Sequence, residues 1–444
     1  MRVFAFYLSS GFEYRLFLHS GLYRMLEESG RCFVVRRPFH SKVARDLEED
    51  YIIQELDDFE NHTDANRSWW FDKYASSRRA RNRLVGKGNF NYFTEDRSSG
   101  WGDLLRGNLY LNWLLRKMAL RSLEKNFRNR QVESLFLDEG VTDLMVSNYQ
   151  NVNALGVIHS ALARGVRVWL CVNSWKDFFV NSFVGFRPSG IFVWSEKMKE
   201  QLLDSNPHLA DVPILVVGSP AFDRHFKHTS RFDLKHFARK YQFDPRRPIL
   251  LYSLLSPRAY PDEAKIISLI DKAVSEHWMT PHLRPIILLR RNPIDETIWR
   301  GSDNLEGNVR ICEDYWDASF TRELFVQSED GELEWLDLLA HATINLNVAS
   351  TVTLESLAMG VPVINVEFGP DGLADQRLIR YSGAPFYLPL LGRNDVSIVR
   401  SIQQWVASVK RLLAKREILD FAEILAPYDG GATERVAREL TRNV

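Results

Sequence analysis

The stretch 332–368, ELEWLDLLAHATINLNVASTVTLESLAMGVPVINVEF, limits what this chain can fold into more than any other. Trp335, Leu336, Leu338 and Leu339 recur at helical spacing, so a helix comes first. Residues 342–346 are short, apolar and partly β-branched, which suits a buried strand. Asn347, Val348, Ala349 and Ser350 make a tight polar turn. Helical spacing returns at 351–359 with Val352, Leu354, Leu357 and Ala358, and Gly360 is a natural stop. Residues 361–366 are a second buried strand. Strand, turn, helix and strand make a βαβ unit of a parallel sheet, so the chain is α/β.

The chemistry of that unit sits at its turn. Ligands of open α/β sheets bind outside the carboxyl ends of the strands. The following helix aims free N–H groups and its positive dipole end at the same place. Ser350 and Thr351 add hydroxyl donors, a combination that suits a phosphate or diphosphate. Glu355 lies about one turn further in and is placed to accept hydrogen bonds from ribose hydroxyls. The plainer alternative is that Ser350 only caps the helix and Glu355 is a core-edge carboxylate.

With 444 residues the chain is too long for one simple core, and two domains are expected. Basic and acidic residues balance at 57 each, which argues against a general nucleic-acid binder. Cys32, Cys171 and Cys312 are far apart without a Cys-x-x-Cys, so they read as reduced packing residues of a cytoplasmic protein. No apolar run approaches membrane-spanning length, and residues 3–8 lack the long apolar core of a signal peptide.

Residues 3–8 read as the first strand, followed by a turn at 9–12, a helix over about 13–29 and a strand at 32–35. Ser-Ser-Gly-Phe-Glu at that turn is not a Gly-x-Gly-x-x-Gly fingerprint, so no dinucleotide site is expected there. Glu13 is either a general base facing an acceptor or a helix N-terminal carboxylate favoured by the dipole. From 36 to 131 the chain is polar, charged and rich in aromatics, an insertion with at least two helices. The clearest runs over 103–127, with Leu105, Leu109, Trp113, Leu114, Met118 and Leu120 as an apolar stripe. Arg78, Arg79, Arg81, Arg83 and Lys87 form a basic cluster. It reads as a solvated helix face, or as a contact with an anionic acceptor or inner-leaflet headgroups. Residues 134–137 read as a buried strand, which sets Asp138 and Glu139 at its carboxyl end, where either deprotonates an acceptor hydroxyl.

A boundary falls between 224 and 247, after which a second α/β domain begins with a strand at 249–255 and the turn Ser256, Pro257, Arg258. A strand at 285–289 runs into Arg290 and Arg291. These grip phosphate or carboxylate bidentately, or else pair with Glu313 and Asp314. Beyond Phe368 come a loop, an amphipathic helix over 396–413 and a last helix over 434–442.

Three stretches carry a family resemblance. VWSEKMKEQLL…VPILVVGSPAFD, ending at Asp223, resembles the close of the N-terminal domain in bacterial surface-polysaccharide glycosyltransferases and their CDP-glycerol transferase relatives. LLAHATINLNVASTVTLESLAMGVPVIN resembles the donor-binding unit of their C-terminal domain, and YDGGATERVAREL their closing helix. The chain departs from the pattern at Asn347, where retaining members often carry a glutamate, and at Asn292-Pro293, where the CDP-glycerol group has His-Pro.

The resemblance implies the GT-B fold: α/β, two facing doubly wound Rossmann-like domains with a C-terminal closing helix. It divides the chain into an acceptor-side domain at 1–225 with an insertion at about 37–131, a linker at 226–247, a donor-binding domain at 248–428 and a closing helix at 429–444. It implies sugar transfer from a nucleotide-activated donor to a surface glycan or glycolipid acceptor, or to a protein. No metal or other cofactor is implied, and association with the inner membrane face is peripheral. Ser350, Thr351, Glu355, Asn347, Arg290, Arg291, Ser256 and Arg258 would bind the donor, and Asp138, Glu139 or Glu13 would be the base. A sugar-nucleotide epimerase and a non-catalytic nucleotide-sugar-binding scaffold are the alternatives.

Overall fold

The computed structural model describes residues 1–36, 50–56, 73, 108–149, 152–180, 183–255, 260–290, 307–312, 328–384, 386–414, 425 and 427–442. Ser256, Arg258, Arg291 and the basic cluster at 78–87 lie outside them. The chain divides into two compact units, one of Met1–Asp223 with Ala422–Val444 and one of Arg224–Phe421.

The first unit opens with β1 (Arg2–Leu8), whose residues are nearly all buried, as in a strand covered on both faces. The helix expected over 13–29 is broken. A single turn at Gly11–Glu13 passes into a π-wound segment, Tyr14–His19, and the chain resets at Gly21 before α1 (Leu22–Glu27). Gly21 has φ of 87°, a conformation that a side chain resists. β2 (Gly30–Arg36) and β3 (Ile53–Glu55) follow, then α2 (Leu109–Asn126) and α3 (Arg130–Asp138).

α3 overturns the strand expected at 134–137. Val132, Glu133 and Phe136 are buried while Ser134, Leu137 and Asp138 are exposed, a helical period and not a strand's. Asn129 caps it, accepting hydrogen bonds from the N–H groups of Gln131 and Val132. The strand comes later, as β4 (Asp143–Val146). α4 (Val152–Ala163), β5 (Arg167–Cys171), β6 (Gly190–Val193), α5 (Glu196–Ser205) and β7 (Ile214–Val216) complete this run. The seven strands pair in parallel in the order β3-β2-β1-β4-β5-β6-β7.

In the second unit the stretch expected as a linker contains α6 (Leu234–Lys240), and its Phe237 lies in the core with Trp335 and Leu339. β8 (Ile249–Ser253), α7 (Glu263–His277), β9 (Ile286–Arg290), β10 (Val309–Ile311) and α8 (Glu329–His341) lead to β11 (Ile344–Asn347), α9 (Val352–Ala358) and β12 (Val363–Val366). α10 (Gln376–Ser382) follows. The amphipathic helix expected over 396–413 is instead β13 (Val396–Val399) and α11 (Ile402–Ala414). Six strands pair in parallel as β10-β9-β8-β11-β12-β13.

The chain then returns to the first unit as α12 (Ala432–Thr441). Asp223 holds its start, accepting hydrogen bonds from the N–H groups of Ala432 (3.0 Å) and Thr433 (2.7 Å). Arg435 Nε donates to the Val217 carbonyl, and the helix packs on α1.

Candidate functional site

In a doubly wound sheet the crevice opens where successive crossovers leave to opposite sides. In the second unit that point lies between β8 and β11, since β9 flanks β8 and β12 flanks β11. The turn after β11 is therefore at the place where such sheets bind ligands.

A buried amide network shapes this turn. Asn347 and Asn365 are cross-strand partners on β11 and β12, and Asn345 lies two residues before Asn347 on the same face. Asn347 Oδ1 accepts from the Ser350 N–H (3.3 Å) and the Thr353 hydroxyl (3.1 Å), while its Nδ2 donates to Asn345 Oδ1 (2.7 Å). Asn365 Oδ1 accepts from the Ala349 N–H (3.0 Å), and its Nδ2 donates to the Tyr387 hydroxyl (2.6 Å). That hydroxyl also meets Thr353 Oγ1 at 2.8 Å. Ala349, held in the middle, has φ of 38°. Asn347 was expected to touch a donor. It is fully buried with its amide engaged, so it builds the turn and does not line it.

Ser350 and Thr351 are half-buried at the turn. Ser350 does not cap α9 through its side chain, contrary to the plainer reading of that hydroxyl, and neither does Thr351. The Ser350 Oγ is itself buried and has no hydrogen-bond partner among the described residues. α9 is only two turns long, so the argument for an anion rests on the hydroxyls more than on the dipole.

Glu355 is buried, and its Oε2 accepts the indole N–H of Trp335 at 3.0 Å. The Arg290 guanidinium lies 3.7 Å from the centroid of that indole. The three make a stack from the carboxyl end of β9, through α8, to the first turn of α9. Glu355 thus supports Trp335 through one carboxylate oxygen. Arg290 ends β9, beside β8, with its guanidinium plane fixed by the ring. Beyond the carboxyl end of β8 Glu263 accepts from the Leu255 N–H (2.8 Å) and the Tyr252 hydroxyl (3.2 Å). Burial pushes its carboxyl up to about 8.

In the first unit the corresponding point lies between β1 and β4. Glu13 follows the carboxyl end of β1. It is fully buried and accepts from Ser9 Oγ (2.9 Å), the Ser10 N–H (2.7 Å) and Ser10 Oγ (2.6 Å). Burial raises its pKa against those hydrogen bonds. Asp138 and Glu139 are placed otherwise than expected. They end α3, ahead of β4, and so lie at the amino edge of the sheet. Asp138 accepts from Ser134 Oγ at 3.2 Å and Glu139 pairs with Arg31 at 2.6 Å, at the start of β2. The missing strand at 134–137 is the cause.

Asn345, Asn365, Thr353, Tyr387, Trp335 and Glu263 were not singled out from the sequence. For the asparagines a signal was present: polar residues inside short, otherwise apolar strands need buried partners. Tyr387 and Trp335 gave none, because their partners are distant in the chain.

No family model and no curated protein matches the sequence. Solved structures do resemble it over its whole length. The UDP-GlcNAc 2-epimerase of Methanocaldococcus jannaschii is 13% identical with a TM-score of 0.52, covering 100% of both chains. The UDP-GlcNAc 2-epimerase of Neisseria meningitidis bound to UDP-GlcNAc is 12% identical with a TM-score of 0.55, again covering 100% of both. A glycosyltransferase of Rickettsia africae is 10% identical with a TM-score of 0.51, covering 100% of this chain and 99% of its own. At such identities the likeness is one of fold, and the chain has the two-domain, parallel-sheet GT-B fold.

Proposed function

We propose that the chain is a nucleotide-sugar-dependent glycosyltransferase acting without a metal on a surface glycan or glycolipid acceptor at the cytoplasmic side. One observation carries the reading. A turn at the crevice of the second sheet, braced by buried amides, holds the Ser350 hydroxyl, which has no hydrogen-bond partner among the described residues, beside Thr351. Such a turn suits the oxygens of a diphosphate, which accept what these hydroxyls donate. Arg290, braced on Trp335, is the charge that neutralises the leaving nucleotide. Of the three candidate bases, Glu13 alone lies at a strand's carboxyl end.

A sugar-nucleotide epimerase is the second reading, because two of the three structures described above are UDP-GlcNAc 2-epimerases. A scaffold that binds without turnover is the third. A thermal-shift panel of UDP, GDP, CDP, CMP and dTDP, with Ser350→Ala, Thr351→Val and Glu13→Gln beside wild type, tests the site. A ligand at a hundredfold its dissociation constant stabilises by about 2.7 kcal/mol. One nucleotide should raise the melt of wild type and Glu13→Gln, and the hydroxyl variants should lose the rise. If no nucleotide does so, the site is wrong. Incubation with UDP-N-acetylglucosamine alone, and with added acceptor, then separates the activities. An epimer formed without acceptor favours the second reading, and binding without any product the third.

A further inference from the structure

α2 departs from the apolar pattern of its sequence. Ala119 and Leu123 are buried, and the helix packs on α4. Trp113 and Leu114, expected in a core stripe, face outward. Tyr110, Trp113, Leu114, Lys117 and Arg121 are all exposed and recur at intervals that place them in one line along the helix. Tyr110 is 71% exposed, Trp113 41%, Leu114 37% and the flanking Leu111 36%.

The side chains of the patch contact one another. Asn108 caps the helix, accepting from the N–H groups of Tyr110 (2.9 Å) and Leu111 (3.2 Å). Tyr110 and Trp113 stack with centroids 5.8 Å apart, and Lys117 Nζ lies 4.0 Å over the Trp113 ring. From 108 to 123 the sequence carries Arg116, Lys117 and Arg121 and no acidic residue.

We propose that this stripe of α2 docks the first unit on an anionic lipid surface. Tyr and Trp have an apolar body and a polar tip, which places them at headgroup level. Leu111 and Leu114 enter the acyl boundary beside them. Lys117 and Arg121 stand roughly 6 and 12 Å beyond Trp113 along the axis and meet lipid phosphates. A protein partner fits less well, because protein interfaces are depleted in lysine at their core. The inference is independent of the nucleotide-sugar reading, and either can fail alone.

Sedimentation of the full chain with phosphatidylcholine vesicles, with and without phosphatidylglycerol, tests it. Wild type should bind the anionic vesicles and leave the neutral ones. Lys117→Gln with Arg121→Gln should weaken partition about twenty-fivefold, at about fivefold per cation. Trp113→Ala with Tyr110→Ala should abolish it. All four residues are exposed, so unchanged melting temperatures are expected to accompany the loss. The proposal falls if wild type ignores anionic vesicles, if neutral vesicles bind equally, or if either variant binds like wild type. It also falls if the variants change the oligomeric state, since the stripe would then pair copies of the chain. The nucleotide melt on the same preparations reports separately on the crevice of the second unit.

Discussion

Ala349 sits where a Cβ costs about 1–2 kcal/mol, at φ of 38°. Its N–H bond to Asn365 returns only about 1 kcal/mol net. The turn is therefore stable as part of a network and not by any single contact. The Tyr387 hydroxyl closes that network, joining Asn365 to Thr353. Tyr387→Phe keeps the ring and removes the bridge, leaving buried polar atoms short of a partner. The expected loss is roughly 1–3 kcal/mol in urea unfolding, with a smaller nucleotide-dependent rise in the melt although Tyr387 itself is fully buried. Unchanged stability and binding would mean that the hydroxyl is replaceable.

Helix ends decide more at the element scale than helix interiors do. α3 and α5 begin at Asn129 and Ser195, whose side chains accept first-turn N–H groups. The first turn of α12 is different, because its acceptor, Asp223, comes from 209 residues earlier. Ala432 and Thr433 are buried, so water is a poor substitute for that carboxylate. Asp223→Ala should cost about 2 kcal/mol, the range of a charged cap with a buried end, measured by thermal or urea denaturation. A loss within a few tenths of a kcal/mol would show that α12 is held by its apolar face alone, through Val436 and Leu440.

For the whole molecule, formal charges cancel at 57 and 57, so net repulsion does not set the pH profile near neutrality. Buried groups do. Glu263 holds its proton up to about 8 when folded, against an ordinary value of 4.5. Its stabilisation is complete below the unfolded value and is lost as pH rises through the folded one. His159, lowered by burial to about 4 from 6.5, acts in the opposite sense below 6.5. The two oppose each other in mild acid, and Glu263 acts without that opposition between 6.5 and about 8. Melting temperature should therefore fall across that upper window, and Glu263→Gln should flatten the fall. A flat wild-type profile there would contradict a protonated Glu263.

Local pattern was enough to read β1, β2, β8, β9, β11 and β12, because strands buried on both faces are continuous apolar runs, but it missed β3 and β4. It also located the turn at Ser350, since a βαβ unit fixes where its loop must lie. It failed at 134–137 and 396–413, where short, mostly apolar runs suit either element and only packing chooses. That choice moved Asp138 and Glu139 to the amino edge of the sheet. The sequence by itself determined an α/β chain of two parallel sheets and the position of its candidate turn, because those follow from the spacing of neighbours. Only the tertiary structure decided that Asn365 and Tyr387 brace the turn, that Trp335 donates to Glu355, that α12 belongs with the first unit and that Trp113 faces outward. Each of these depends on residues far apart in the chain, and their meeting is set by how the elements pack.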